Sequence, residues 1–299
     1  MTISGTTRPP HRILSAFAGL ALAAGVVCAM AAPAAAIPTP PDPSGVTASG
    51  IGIARDGSRQ TLRVNGGRIE HRLDSRDDVD GTWRTLYGAT DATKVDATYD
   101  PNLGLQVVAV IGGQIYHNAR FPNGSWSGFA PIYGASDAGD VSIAVQTNGD
   151  AHVAAVINGR IWHRVRYWSG EWSPWGLFYT GSDATSVDVA VDGNNELQLA
   201  GVVGAQIRHT IRHPGNGAWD AFQPVYDGRA GAPTDVSIGS DPWAPGNGAA
   251  VVAAVIRQHP WRIDRYASRN WSGWQENAGL YVRSIDGAVF EGVFIAYAA

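Results

Sequence analysis

Beyond about residue 45 the chain alternates apolar and polar positions with period two, and Gly, Asn and Asp break the pattern every few residues. Helical periodicity is absent, so the pattern predicts short strands joined by turns. Alternating runs occur at Val95-Asp96-Ala97-Thr98-Tyr99, Val141 to Val145, Val187 to Val191 and Val236-Ser237-Ile238. Each precedes a continuous apolar run, Leu105 to Ile111, Val153 to Ile157, Leu197 to Val203 and Val251 to Ile256. A tight turn follows, Gly112-Gly113, Asn158-Gly159 or Gly204-Ala205, and then an Ile-x-His strand. Two such runs around a two-residue turn predict a β-hairpin.

The Ile-x-His copies end at His71, His117, His163 and His209, with 46 residues between successive copies. A second marker, Trp83, Trp126, Trp172, Trp219 and Trp271, follows a Gly- or Asn-containing turn in each unit and is read as the fourth strand. A repeat of about 40–50 residues carrying four strands is the signature of a propeller blade. The expected fold is therefore all-β, a single β-propeller of four-stranded blades over 45–299, with five blades favoured and six the competing count. The units run over 45–89, 90–135, 136–181, 182–231 and 232–282, and Ile263-Asp264-Arg265 stands in the fifth where the others carry Ile-x-His. Two further strand-like runs, Ile285 to Val289 and Val293 to Tyr297, need a partner, because an open sheet edge invites aggregation. They are expected to complete a blade with Gly50 to Ala54 and Gln60 to Val64.

Residues 1–36 change the picture of the first units. Arg8, His11 and Arg12 precede an Ala-rich apolar run and a small-residue A-x-A site, which reads as a secretory signal peptide, followed by a Pro-rich linker at 37–44. The expectation is a secreted, extracellular protein without membrane insertion after signal removal. The one cysteine, Cys28, lies in that leader, so no disulfide or thiolate metal site is expected in the mature chain. The net charge of −4 argues against nucleic acid as the main partner.

No nucleophile elbow, phosphate loop or HExxH pair occurs, so no catalytic residue, metal site or cofactor is expected. Asp78-Val79-Asp80-Gly81 and Asp192 to Glu196 complete no calcium loop and read as turns. One His and one Trp per unit at fixed positions read as structural, the Trp packing sheet on sheet. Trp168 and Trp175 fall off that register near turns, and exposed rings of this kind stack on the apolar face of a sugar. Asp91, Asp137 and Asp183 recur in loops of the form Ser/Thr-Asp-Ala; a short acidic acceptor there suits sugar hydroxyls and equally suits an Asx turn.

In the order G-x-I-x-H, then G-x-W, then Ser/Thr-Asp-Ala, the repeats resemble those of secreted bacterial and invertebrate β-propeller lectins of the tachylectin-like and fucose-lectin-like groups. That resemblance implies a glycan or glycoconjugate partner bound between or upon blades, without catalysis. Two alternatives remain: a sialidase-like propeller glycoside hydrolase, for which Asp78 to Trp83 is the nearest approach to an Asp box, and a protein-binding structural propeller.

Overall fold

A computed structural model describes residues 45–75, 81–100, 104–244, 246–277, 280–290 and 293–298. The expected leader, the linker and the Asp78-Asp80 turn lie outside these residues. The described chain contains strands and turns and no helix. Five sheets of four antiparallel strands follow one another in sequence order, making a five-bladed β-propeller.

Blade 1 is β1 (Val46–Ile53), β2 (Arg59–Asn65), β3 (Arg68–Asp74) and β4 (Arg84–Tyr87); blade 2 is β5 (Ala92–Asp100), β6 (Gly104–Ile111), β7 (Gln114–Arg120) and β8 (Ala130–Tyr133). Blade 3 comprises β9 (Ala138–Val145), β10 (Ala151–Ile157), β11 (Arg160–Arg166) and β12 (Gly176–Tyr179). Blade 4 comprises β13 (Ala184–Val191), β14 (Leu197–Val203), β15 (Gln206–Arg212) and β16 (Gln223–Tyr226). Blade 5 is β17 (Pro233–Ser240), β18 (Ala250–Ile256), β19 (His259–Arg265) and the short β20 (Gln275–Glu276). A separate hairpin, β21 (Ile285–Phe290) with β22 (Val293–Ala298), completes the ring, its inner strand packing on both β17 and β1.

The apolar runs become the second strands because these face a neighbouring blade on both sides. β10, β14 and β18 are buried along their whole length. Each large side chain sequestered there contributes about 1.5–3 kcal/mol. The turn into the third strand takes positive φ at both central residues, 57° and 76° at Gly112-Gly113, as a tight hairpin with right-handed strand twist requires. A Cβ on Gly113 would stand 2.6 Å from the Ser136 carbonyl oxygen, so the blade-to-blade connection passes only because glycine is there.

The alternating strands are the innermost ones, and their polar side chains solve an edge problem, since an inner strand has paired neighbours on one side only. Oδ2 of Asp96, Asp140, Asp188 and Asp235 accepts a hydrogen bond from the backbone N–H of Ile143, Val187, Ile238 and Ile285 respectively, at 2.7–3.0 Å, each on the inner strand of the following blade or closing hairpin. Ser142 and Ser237 accept likewise from Val189 and Gly287. At β1 the equivalent residue is Gly50, where a Cβ would meet Asp96 Cα at 2.6 Å, so β1 and β5 approach too closely for a side chain.

Charge on this axis is unevenly matched. The Lys94 ammonium lies 3.4 Å from Asp140 and 3.7 Å from Asp235. Asp96, Asp188 and Asp286 have no such ammonium partner among the contacts described. Burial raises Asp96 to about 7, and burial together with the neighbouring Asp charges holds Asp188 and Asp286 well above the usual carboxylate range.

Three expectations need correction. The C-terminal strands do not merge with Gly50 to Ala54 and Gln60 to Val64: those N-terminal strands build a complete blade with β3 and β4, while β21 and β22 pair with each other. The Trp markers are not the fourth strands. Trp126, Trp172, Trp219 and Trp271 each make one bridge to the last residue of the third strand, Arg120, Arg166, Arg212 and Arg265, and the fourth strand starts four residues later. In blade 5 the register of β18 and β19 puts Pro260-Trp261-Arg262, not Ile263-Asp264-Arg265, at the Ile-x-His position.

Candidate functional site

The repeat markers converge at the seams between blades. Each Ile of the Ile-x-His strands is fully buried, and each His, on the same strand face, packs against the Trp of the following blade. Ring centroids are 5.2 Å apart for His71 and Trp126, 5.3 Å for His117 and Trp172, 5.3 Å for His163 and Trp219, and 5.0 Å for His209 and Trp271, all near perpendicular. The arrangement puts the positive edge of one ring against the negative face of the other.

A proton-ordered chain fixes each imidazole. Gln106 Nε2 donates to Asp100, which leaves Gln106 Oε1 to accept from His117 Nε2–H at 2.7 Å. Blade 4 repeats this with Asp192, Gln198 and His209. Blade 3 substitutes a second imidazole: His152 Nε2–H donates to Gln146, so its Nδ1 accepts from His163. These tautomers follow from the partners. Burial lowers His117, His163 and His209 to about 3 and His71 to about 4, with the Arg120, Arg166, Arg212 and Arg265 guanidiniums of the following blade adding to the effect. Burial thus favours the neutral form of each of these imidazoles.

At the seam of blades 4 and 5 the surface opens into a groove of about 760 Å³, within the range of small-ligand sites. Trp271 and Trp274 come from blade 5 and His209, Gln223 and Asp220 from blade 4. Both indoles are half-buried, and Trp274 is fixed by its Nε1–H bond to the Val225 carbonyl at 2.8 Å and by Tyr226 at 5.5 Å. Arg269 reaches the rim from a turn in which it adopts φ 66°. The groove combines fixed aromatic surface with acidic, amide and guanidinium groups. Such a set binds polar molecules with an apolar face.

The candidates singled out in sequence are dispersed. Trp168 is 76% exposed on the turn between β11 and β12. Asp91, Asp137 and Asp183 lie at the other end of the blades, where each accepts a hydrogen bond from the hydroxyl of Tyr87, Tyr133 or Tyr179 at 2.5–2.7 Å. The seven-residue β11 separates these faces by roughly 23 Å at 3.3 Å per residue, so Trp168 and Asp183 do not share a pocket. The Asp loops staple blades together: Asp91 carbonyl accepts from Gly112, while Ala92 N–H donates to Gly67. Trp175 is not off-register; it occupies the position of Phe129, Phe222 and Trp274, with Nε1–H on the Ile132 carbonyl at 3.1 Å and its ring against Tyr133. Trp83 lies instead under Arg63 and Arg72 of its own blade, at 4.1 and 4.8 Å.

Sequence reasoning missed Trp274, Gln223 and Asp220, whose shared location depends on two blades meeting. The only available signal was that Trp274 follows Trp271 by three residues, as Trp175 follows Trp172. No group of three acidic, imidazole or thiol side chains among the described residues is placed to hold a metal ion. No protein-family model and no curated protein sequence matches the chain.

Proposed function

We propose that this propeller is a secreted, non-catalytic carbohydrate-binding protein that takes a glycan in the groove between blades 4 and 5. The observation that carries the reading is the pairing of half-exposed Trp271 and Trp274 with the exposed polar residues Asp220 and Gln223 along one open groove. Sugars present an apolar C–H face and a ring of hydroxyls, which match an indole face and amide or carboxylate acceptors. The resemblance of the repeats to propeller lectins points the same way.

The test is a glycan array with labelled protein and free-sugar competition, run in parallel on Gln223→Ala and Asp220→Asn. Competable binding that both variants lose at unchanged melting temperature supports the groove. Binding that survives both substitutions moves the site elsewhere, and a blank array from folded protein removes the carbohydrate reading.

A further inference from the structure

Against Asp220 of this groove, His213 occupies a turn position held by an aromatic in blades 2, 3 and 5. Phe121, Tyr167 and Tyr266 open the equivalent turns, identified by the same backbone bond across each one. His213 Nδ1 lies 2.9 Å from Glu196 Oε1, and its Nε2 lies 3.0 Å from Asp220 Oδ1. Glu196 also accepts from Arg269 Nη2 at 3.0 Å. Arg269, Glu196, His213 and Asp220 therefore form one charge-alternating line from the blade 5 turn to the blade 4 wall.

A neutral imidazole carries one N–H and can donate to one of the two carboxylates, leaving its other nitrogen lone pair facing an anion. Only the imidazolium donates to both. We propose that His213 is a pH-operated clasp on the groove: protonated, it holds Asp220 to the Glu196–Arg269 pair, and on losing its proton it releases the Asp220 carboxylate into the groove. The surrounding charges are Glu196 and Asp220 in contact, Arg269 on Glu196, Asp192 beneath the Glu196 turn, and Arg265 at the end of β19. The bonds to Asp220 and then to Glu196 raise His213 above 6.5. The clasp is thus closed below the free imidazole value and opens as pH rises through the His213 midpoint.

Its consequence for ligand rests on the groove being the binding site, but the clasp itself is read without ligand. In the labelled full-length protein, the His213 ring signal is identified by its loss in His213→Gln and followed with pH by NMR. The expected midpoint lies above 6.5 and falls towards it in Asp220→Asn. The indole N–H signals of Trp271 and Trp274 are expected to move with that same midpoint in the parent and to stay still in His213→Gln. A midpoint at or below 6.5, or indole signals that still titrate in His213→Gln, overturns the clasp. A protein that shows these titrations and a blank glycan array keeps the clasp and loses the proposed function.

Discussion

His117→Gln tests the seam energetics directly. Burial takes the imidazole from 6.5 to about 3, so between those values the unfolded chain binds a proton that the folded chain refuses. Its contribution is fully present above 6.5 and is lost as pH falls. At about pH 5, one and a half pH units below the free value, the loss is about 2 kcal/mol at roughly 1.4 kcal/mol per pH unit. Glutamine keeps a donor for Gln106 Oε1 but forfeits the ring contact with Trp172, worth about 0.5–1.5 kcal/mol beyond its area. The variant should therefore be less stable than the parent at about pH 7.5, by about 1–3 kcal/mol. At about pH 5 that deficit should shrink by about 2 kcal/mol, because only the parent carries the proton penalty. Urea unfolding followed by tryptophan fluorescence at the two pH values measures both gaps. An equal deficit at both would refute the account of a buried neutral imidazole.

Asp188 is expected to act in the opposite sense, since its folded-state pKa is raised: stability falls as pH climbs above 3.8 towards the folded value, and Asp188→Asn should flatten that decline in denaturation curves collected at successively higher pH. Gly50→Ala places a Cβ 2.6 Å from Asp96 Cα and should cost about 2 kcal/mol or more in chemical denaturation; a neutral result would mean that β1 and β5 separate freely. Trp168→Ala should leave the calorimetric melting temperature nearly unchanged, within about 0.5 kcal/mol. Trp175→Ala, which removes the bond to Ile132 and the packing on Tyr133, should lower it by the equivalent of about 2 kcal/mol; equal effects at the two sites would contradict their placement.

Blade boundaries were legible because each unit carries its own turn chemistry and a period-two strand followed by an apolar one, both local properties. Five of the six positions around the axis came from that repeat. The sixth did not, because Ile285 to Val289 resembles every other inner strand, and whether it adds to an old blade or starts a new sheet depends on contacts far apart in the chain. Blade 5 misled for a related reason. Ile263 looks like the repeat isoleucine, yet register is set by pairing with β18, which puts Pro260 opposite Val255. The equivalence of Trp175 with Phe129 and Phe222 was hidden because any aromatic serves there. His213 stood outside the His marker series, and its two carboxylates are 17 residues before it and 7 after it. Its environment exists only once the turn closes over β14.

The capping of inner strands has a direction. Asp96 serves Ile143, Asp140 serves Val187, Asp188 serves Ile238 and Asp235 serves Ile285, always from the earlier blade to the later. A chain emerging from the ribosome N-terminus first thus offers each new inner edge a set of acceptors that has already been synthesised. Growth in that order leaves one inner edge, that of β1, to wait for a partner still untranslated, the closing strand β21. A circular permutant that begins at blade 3 would reverse this timing at one seam while keeping every contact, so its folding yield, rather than its final stability, is where the difference would appear.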